Sequence, residues 1–194
     1  QAVFQKHAGD GTPAFTTRLP NKKQTLVVGG TIDAESSTFE QLTLGRKLVG
    51  ATTAQKAGSL GICAVGFSQD KEVALVNNVL AAALAGAFNM PAYKSRPEPE
   101  KIKSIRLLGL AEEIDTKRTE AEAKGNNLAR WLTAQPPNFL DAVGYARLAK
   151  SLAGKHGWQY KRFNTRELEK LGCGAFLAVA QGNDSASIVR LRYR

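Results

Sequence analysis

Apolar residues in the first 110 positions form short continuous runs, separated by longer segments with helical spacing. The runs 24–28, 60–66 and 103–110 are typical of buried strands, in which both faces are covered. The segments 37–57 and 72–89 carry apolar residues three or four positions apart, which predicts amphipathic helices. This alternation predicts parallel βαβ units, with the three strands as neighbours in one sheet of a three-layer α/β domain.

Local signals mark the ends of these helices. Ser37 and Glu40 have capping-box spacing at the start of the first helix. Pro91 follows the second helix and ends it, because proline cannot continue a helix. The proline-rich stretch 95–99 then predicts a rigid, exposed linker, and His7 is assigned to an irregular leader.

The pattern changes after residue 114. The segment 115–134 is helical but polar through its first half, which is typical of a helix that bridges two domains. The sequence Q-P-P-N at 135–138 ends that helix abruptly. Beyond it the pattern predicts a helix over 145–152, a strand over 158–163, a helix over 165–171, an apolar run over 174–180 and a strand from 187.

These boundaries predict three parts: an N-terminal α/β domain over 1–114, a connecting helix over 115–135 and the opening of a second α/β domain over 136–194. The last strand alternates, with Val189, Leu191 and Tyr193 on one face and arginines on the other. We expect this half-apolar sheet to continue in further polypeptide. Phe176, Val189 and Leu191 should therefore be exposed or covered by a second polypeptide.

Composition narrows the class of protein. Hydrophobic residues make up 43% of the chain, which suits a globular core. The stretch poorest in charge, 73–93, contains asparagines and a proline, so no membrane span or membrane partner is predicted. Cys63 and Cys173 are interpreted as reduced, buried thiols of a cytoplasmic protein, with a disulfide as the minor alternative. A chain that begins at Gln1 is expected to be trimmed or processed.

The net charge of +10 is unevenly distributed. Residues 141–194 contain ten Lys or Arg against four acids, an excess of +6, whereas 1–100 and 101–140 have an excess of +2 each. Such a patch can bind nucleic acid, face solvent or contact an acidic partner. The last two interpretations are favoured, and binding of nucleic acid is the alternative.

Residues with catalytic potential do not cluster. Gly29 and Gly30 follow a strand, but the glycine fingerprints of phosphate-binding loops are absent, so a tight turn at positive φ is predicted. The acids at 112, 113 and 115 are assigned to a helix start, where they offset the helix dipole. His156 is placed at a helix end. We therefore predict no catalytic, cofactor-binding or metal-binding residue in this chain.

Aromatic and basic residues interleave in one predicted strand. Trp158, Tyr160 and Phe163 flank Lys161 and Arg162, as in a platform that stacks nucleic-acid bases. The signatures of RNA-binding sheets are missing, and aromatic residues on one strand more often pack a core. Core packing is the favoured interpretation.

Three segments in order resemble one family. The runs G-N-N-L-A-R-W-L at 125–132 and Q-P-P-N at 135–138 resemble a junction of leucyl (cytosol) aminopeptidases. The run 167–182 is similar to the family segment E-L-E-K-L-G-M-G-A-L-L-A-V-G-Q-G, with Cys173 for Met and Ala180 for Gly. The strand 188–193 follows as it does in the family.

The resemblance implies a fold and an activity. It implies an N-terminal macro-like domain, a connecting helix and a peptidase domain in which two divalent metals, Mn or Zn, activate water for hydrolysis of N-terminal peptide bonds. It also implies a homo-hexamer and a peptide substrate. The metal motifs of the family, G-K-G-x-T-F-D and A-D-x-E-G-R, do not occur in this sequence. We therefore expect them in polypeptide beyond Arg194, and we expect this chain alone to be inactive. The alternative is a non-enzymatic macro-like module that binds nucleic acid or a nucleotide.

Overall fold

The fold is described from a computed structural model, which covers residues 15–93 and 102–193. The chain is a mixed α/β protein whose contacts separate it into two compact units, one ending at Trp131 and the other beginning at Leu132. The predicted α/β class is confirmed. The three-layer and macro-like descriptions and the boundaries at 114 and 135 stay predictions. The predicted linker 95–99 and His7 lie outside the described residues.

The first unit contains two small sheets and three helices. In chain order these are β1 (Phe15–Arg18), β2 (Leu26–Gly29), α1 (Thr38–Ala54), β3 (Ser59–Ile62), α2 (Gln69–Ala87), β4 (Ser104–Leu107) and α3 (Lys117–Thr133). Strand β3 pairs in parallel with β4, with Ser59 opposite Ser104 and Ile62 opposite Leu107. The predicted parallel arrangement of these two strands is therefore correct.

The predicted position of the first buried run in the same sheet is wrong. Strand β2 pairs antiparallel with β1, with Phe15 opposite Gly29 and Arg18 opposite Leu26. The two strands form a hairpin, closed by a hydrogen bond of 2.9 Å from the Leu19 amide to the Thr25 carbonyl. A strand immediately before β2 in sequence thus supplies its partner, because hairpin pairing closes a short loop at small entropic cost.

Helices α1 and α2 pack closely beside the parallel strands. Their shared core contains Val49, Ile62, Val76, Leu80, Ala83 and Ile102, all buried. Gly45 and Gly86 allow the close approach of the two helices. A Cβ on Gly86 would lie 2.7 Å from Val49 Cγ1, and one on Gly45 would lie 3.2 Å from the Val79 Cα.

The start of α1 is fixed by a capping box, as the sequence predicts. The Ser37 hydroxyl accepts a hydrogen bond from the Glu40 amide, and both the Ser37 hydroxyl and its amide donate to Glu40 Oε2 at 2.7 and 2.8 Å. These hydrogen bonds, above all the one from the side chain, hold the pKa of the Glu40 carboxyl below its ordinary value. The box satisfies amides that the first helical turn leaves unpaired.

The second unit contains α4 (Ala142–His156), β5 (Gln159–Asn164), α5 (Thr165–Lys170), α6 (Gly174–Ala180) and β6 (Ser187–Arg192). Strands β5 and β6 pair antiparallel, with Tyr160 opposite Leu191 and Phe163 opposite Ile188. The buried apolar residues are Ala146, Ala149, Ala153, Leu168 and Ala186. Small alanines dominate this list, so the core of the unit is thin.

Several apolar side chains of the second unit face solvent. Helix α6 contains no buried residue, and Val179 in it is 91% exposed. Leu191 is 41% exposed and Tyr193 is 83% exposed, whereas Phe176 and Val189 are half-buried. The expected exposure is thus found for Leu191 and only partly for Phe176 and Val189. Within the described residues, none of the helices combines the length and apolar character that crossing a membrane requires.

Candidate functional site

The two glycines at the end of β2 serve packing between strands. The glycines with positive φ among the described residues are Gly66, Gly109, Gly157 and Gly172. Gly29 and Gly30 are not among them, so the predicted positive φ is wrong. Instead, a Cβ on Gly29 would lie 2.5 Å from the Phe15 Cζ, and glycine is required because the Phe15 ring covers that position. The Phe15 ring reaches this position because β1 pairs with β2, and the sequence did not reveal that pairing.

The acidic group before α3 is part of a helix start. Asp115 Oδ1 accepts a hydrogen bond of 3.0 Å from the Lys117 amide. Nearby, the Thr116 hydroxyl donates to Glu120 Oε1 at 2.7 Å. Glu112 and Glu113 are exposed in the segment between β4 and α3. The predicted structural role is confirmed for Asp115, whose carboxylate satisfies an amide of the first turn.

His156 occupies the last turn of α4, as predicted. Its ring stacks on Trp158 with centroids 4.9 Å apart, and Gly157 ends the helix in the left-handed conformation with φ of 68°. Over residues 15–93 and 102–193, no group of three or more His, Cys, Asp or Glu is placed to hold a metal ion. The described residues therefore do not fit a two-metal centre.

The cysteines differ from the sequence prediction in burial. Both thiols are free, but Cys63 is exposed and Cys173 is half-buried. The predicted burial of Cys63 is wrong because β3 ends one residue earlier, at the buried Ile62. Cys173 lies in the turn before α6 rather than in a strand or helix core.

The interleaved aromatic and basic residues are divided between the two faces of the antiparallel β5–β6 pair. Lys161 lies opposite Arg190. The Lys161 Nζ lies 4.5 Å from the centroid of the half-buried Phe163 ring, and the Arg190 Cζ lies 5.7 Å from it. Two cations thus cover one aromatic ring, an arrangement that stabilises the strand pair through cation–π attraction. The ring is not a bare stacking surface.

Arg162 lies on the opposite face of the strand pair from Lys161. Its Nη2 donates to the Ser185 carbonyl at 3.1 Å. Its Nε is buried and, in the described part of the chain, makes no hydrogen bond. This basic residue therefore serves local folding rather than a shared cationic surface with Lys161.

The first motif of the family resemblance lies in α3. Asn127 is 8% exposed, and its Nδ2 donates to the Leu84 carbonyl of α2 at 3.3 Å. Arg130 Nη1 donates to the Ala85 carbonyl at 2.9 Å and to Asn127 Oδ1 at 2.8 Å. Neither residue was expected from the sequence to have a separate role. The available signal was their spacing of three, which places both on one helical face.

The second motif connects two short helices. A capping box between Asn164 and Glu167 starts α5, and Leu168 in it is 2% exposed. Gly172 takes a left-handed φ of 72°, and the Cys173 amide donates to the Leu168 carbonyl at 3.0 Å. The motif thus encodes a helix end and a sharp turn, a structural task.

Comparison with known proteins agrees with these motifs. Residues 127–194 match the sequence profile described as "Cytosol aminopeptidase family, catalytic domain". A probable cytosol aminopeptidase of Prochlorococcus marinus is 30% identical over 180 residues, covering 91% of this chain and 36% of the relative. One from a Synechococcus strain is 31% identical over 210 residues, covering 100% of this chain and 40% of the relative. The chain thus spans well under half the length of these relatives.

Solved structures give the same fold. A tomato leucine aminopeptidase mutant superposes with a TM-score of 0.79 at 19% identity, covering 98% of this chain and 40% of that one. The bottromycin maturation enzyme BotP in complex with Mn gives a TM-score of 0.75 at 19% identity, covering 100% of this chain and 42% of that one.

Proposed function

Because this chain belongs to the cytosol (leucyl) aminopeptidase family, we propose that it is the N-terminal portion of a metal-dependent aminopeptidase. The complete enzyme would remove N-terminal residues, with leucine-like ones preferred, from peptides in the cytoplasm, and would assemble as a homo-hexamer. One observation carries the proposal: the chain aligns along its whole length with a relative of which it spans 40%.

In this proposal the metal-binding and catalytic residues lie outside the described part of the chain. The complete enzyme would bind two divalent ions, Mn or Zn, which activate the attacking water. A Mn complex among the structural neighbours supports manganese as one candidate. The described residues would supply the macro-like domain, the connecting helix and the first elements of the peptidase domain.

The exposed apolar surface of the second unit supports this assignment. Val179 is 91% exposed in an entirely apolar helix, and Leu191 and Tyr193 are exposed on or beside β6. Apolar surface of this kind is typical of a contact with further polypeptide. In the complete enzyme we propose that this contact is made by the remainder of the peptidase domain.

A hybrid enzyme tests the proposal. This chain would replace the matching part of the Synechococcus relative, and hydrolysis of leucine amide would be measured with added Mn or Zn. We expect metal-dependent hydrolysis from the hybrid and none from this chain alone. A matched hybrid carrying Leu168→Asp should lose activity because a charge replaces a 2% exposed core side chain. Metal-dependent turnover by the pure chain, or a folded hybrid that binds metal without activity, would contradict the proposal.

The second candidate is a binding module for nucleic acid or a nucleotide. The cationic face formed by Lys161, Arg190 and Arg192 on the β5–β6 strand pair favours it. That face lies in the second unit, whereas the macro-like description concerns the first. Titration with a DNA duplex at two salt concentrations tests it, since phosphate contacts weaken steeply as salt rises. Retention of such binding in a K161A/R190A variant would count against this surface.

A further inference from the structure

The last turn of α2 leaves carbonyl groups without helical partners. The final four carbonyls of any helix lack an amide four residues ahead within the helix. In α2 these include the carbonyl of Ala85, since the helix ends at Ala87 and Phe88 is its C-cap. The last turn of α2 contains no basic residue, and Phe88 continues it in an extended conformation. The negative end of the helix dipole is therefore not offset from within α2.

Two side chains of helix α3 donate hydrogen bonds to carbonyls in the last turn of α2. Asn127 Nδ2 donates to the Leu84 carbonyl, and Arg130 Nη1 donates to the adjacent Ala85 carbonyl. The same guanidinium donates to Asn127 Oδ1 at 2.8 Å, so the two side chains and two carbonyls form a closed network. The network brings a positive charge to the C-terminal end of α2, where it is electrostatically favoured. Arg130 also lies over the Phe88 ring, with its Cζ 6.0 Å from the centroid.

We propose that Asn127 and Arg130 form a latch that ends α2 and fixes the position of α3 along it. Asn127 is 8% exposed, and a buried amide must keep its hydrogen bonds because leaving them unmade is costly. Arg130 holds the amide with its oxygen toward the guanidinium and its nitrogen toward α2.

A second contact fixes the register of α3. Near the start of the helix, the Thr119 hydroxyl donates to Asn77 Oδ1 of α2 at 2.8 Å. Thr119 and Asn127 are separated by about 12 Å along the helix axis. A shift of α3 by one residue, about 1.5 Å, would break both contacts together. The latch and this contact thus select one placement of α3 on α2.

The latch lies at the start of the match to the catalytic-domain profile. The match to the catalytic-domain profile starts at residue 127, yet the contacts of Asn127 and Arg130 are with α2 in the first unit. The opening residues of this match therefore pack within the first unit.

Amide hydrogen exchange on the full 194-residue chain tests this latch. Arg130→Ala and Asn127→Ala should speed exchange in residues 84–90 and in α3 by about tenfold or more, the effect of losing a hydrogen bond to a charged group. Arg130→Lys should give a smaller effect, because lysine keeps the charge at the end of α2 but cannot reproduce the guanidinium geometry. Arg118→Ala is the matched control. Its side chain is 91% exposed in the same helix and pairs with Glu122, so the change should stay within about twofold.

The double variant distinguishes a shared network from two separate contacts. In N127A/R130A the second substitution should add less than it does alone, since the first has already broken the network. Additive effects would overturn the proposal. So would an Arg130→Ala effect equal to that of Arg118→Ala, or faster exchange spread evenly over the first unit without excess at 84–90. If Arg130→Ala unfolds the first unit, the comparison of Arg130→Lys with Arg118→Ala decides by the same criteria.

Discussion

Replacing Leu168 by Ala is expected to open the second unit while the first stays folded. Leu168 in α5 is 2% exposed and, with Val76 of the first unit, is one of the two largest fully buried side chains among the described residues. A buried Leu→Ala change costs about 2–5 kcal/mol through lost burial and the cavity left behind. A unit of roughly 60 residues has a total free energy of unfolding of about 3–9 kcal/mol. The substitution therefore removes a large part of that stability.

Hydrogen exchange followed by mass spectrometry measures the effect. In Leu168→Ala, amides over 142–192 should exchange about 30-fold faster or more, which corresponds to the lower end of the expected loss. Exchange over 38–87 should be unchanged. Leu171→Ala is the control, because it deletes the same atoms from a side chain that is 62% exposed just after α5. Its effect should be below about threefold.

Two results would refute this reasoning. Equal effects of Leu168→Ala and Leu171→Ala would show that burial of Leu168 does not support the unit. Equal acceleration over 38–87 would show that the chain unfolds as one cooperative body. The unsubstituted chain provides a further comparison, since residues 137–194 are expected to open before residues 24–110.

Two more predictions concern helix ends. The pKa of Glu40 is lowered by its hydrogen bonds to Ser37, so the carboxylate stabilises α1 above its ordinary pKa of 4.5 and this contribution is lost as the pH falls through the lower, folded-state pKa. The difference in melting temperature between the unsubstituted chain and Glu40→Gln should shrink over that acidic range, and a constant difference would contradict the assignment. Gly157→Ala should destabilise α4 by about 1 kcal/mol, because Gly157 has a φ of 68° that alanine rarely adopts. Gly154→Ala in the same helix should stabilise it by about 0.5–1 kcal/mol, since open space surrounds that position, and the opposite order in thermal melts would refute the argument.

Features that depend on neighbouring residues in sequence were predictable. The capping box of Ser37 and Glu40 could be predicted because it needs only two residues three positions apart. The helix end at His156 and Gly157 was also predictable, because it depends on residues that are adjacent in sequence. The parallel pairing of β3 and β4 followed from their apolar runs and the helix between them, since a crossover connection of that length joins parallel strands.

Features that depend on distant contacts were not predictable. Strand β1 is a four-residue segment with little apolar character, so its pairing with β2 had no local signal. The need for glycine at position 29 follows from the Phe15 ring across that pair, and it was attributed to backbone conformation instead. The latch residues Asn127 and Arg130 were part of a recognised motif. Their partners are backbone carbonyls some forty residues earlier. Every residue has a carbonyl, so the sequence does not show which one accepts the hydrogen bond.

The exposed apolar side chains of the second unit have a consequence for how molecules of this chain meet in solution. Each carries a net charge of +10, and the charge keeps two copies apart while Val179, Leu191 and Tyr193 favour contact. The repulsion extends about 30 Å at 0.01 M salt and about 10 Å at 0.1 M, whereas the apolar attraction does not depend on screening. Ionic strength therefore sets the balance between dispersion and clustering. We expect dilute buffer to keep the copies separate and added salt to bring their exposed apolar surfaces together.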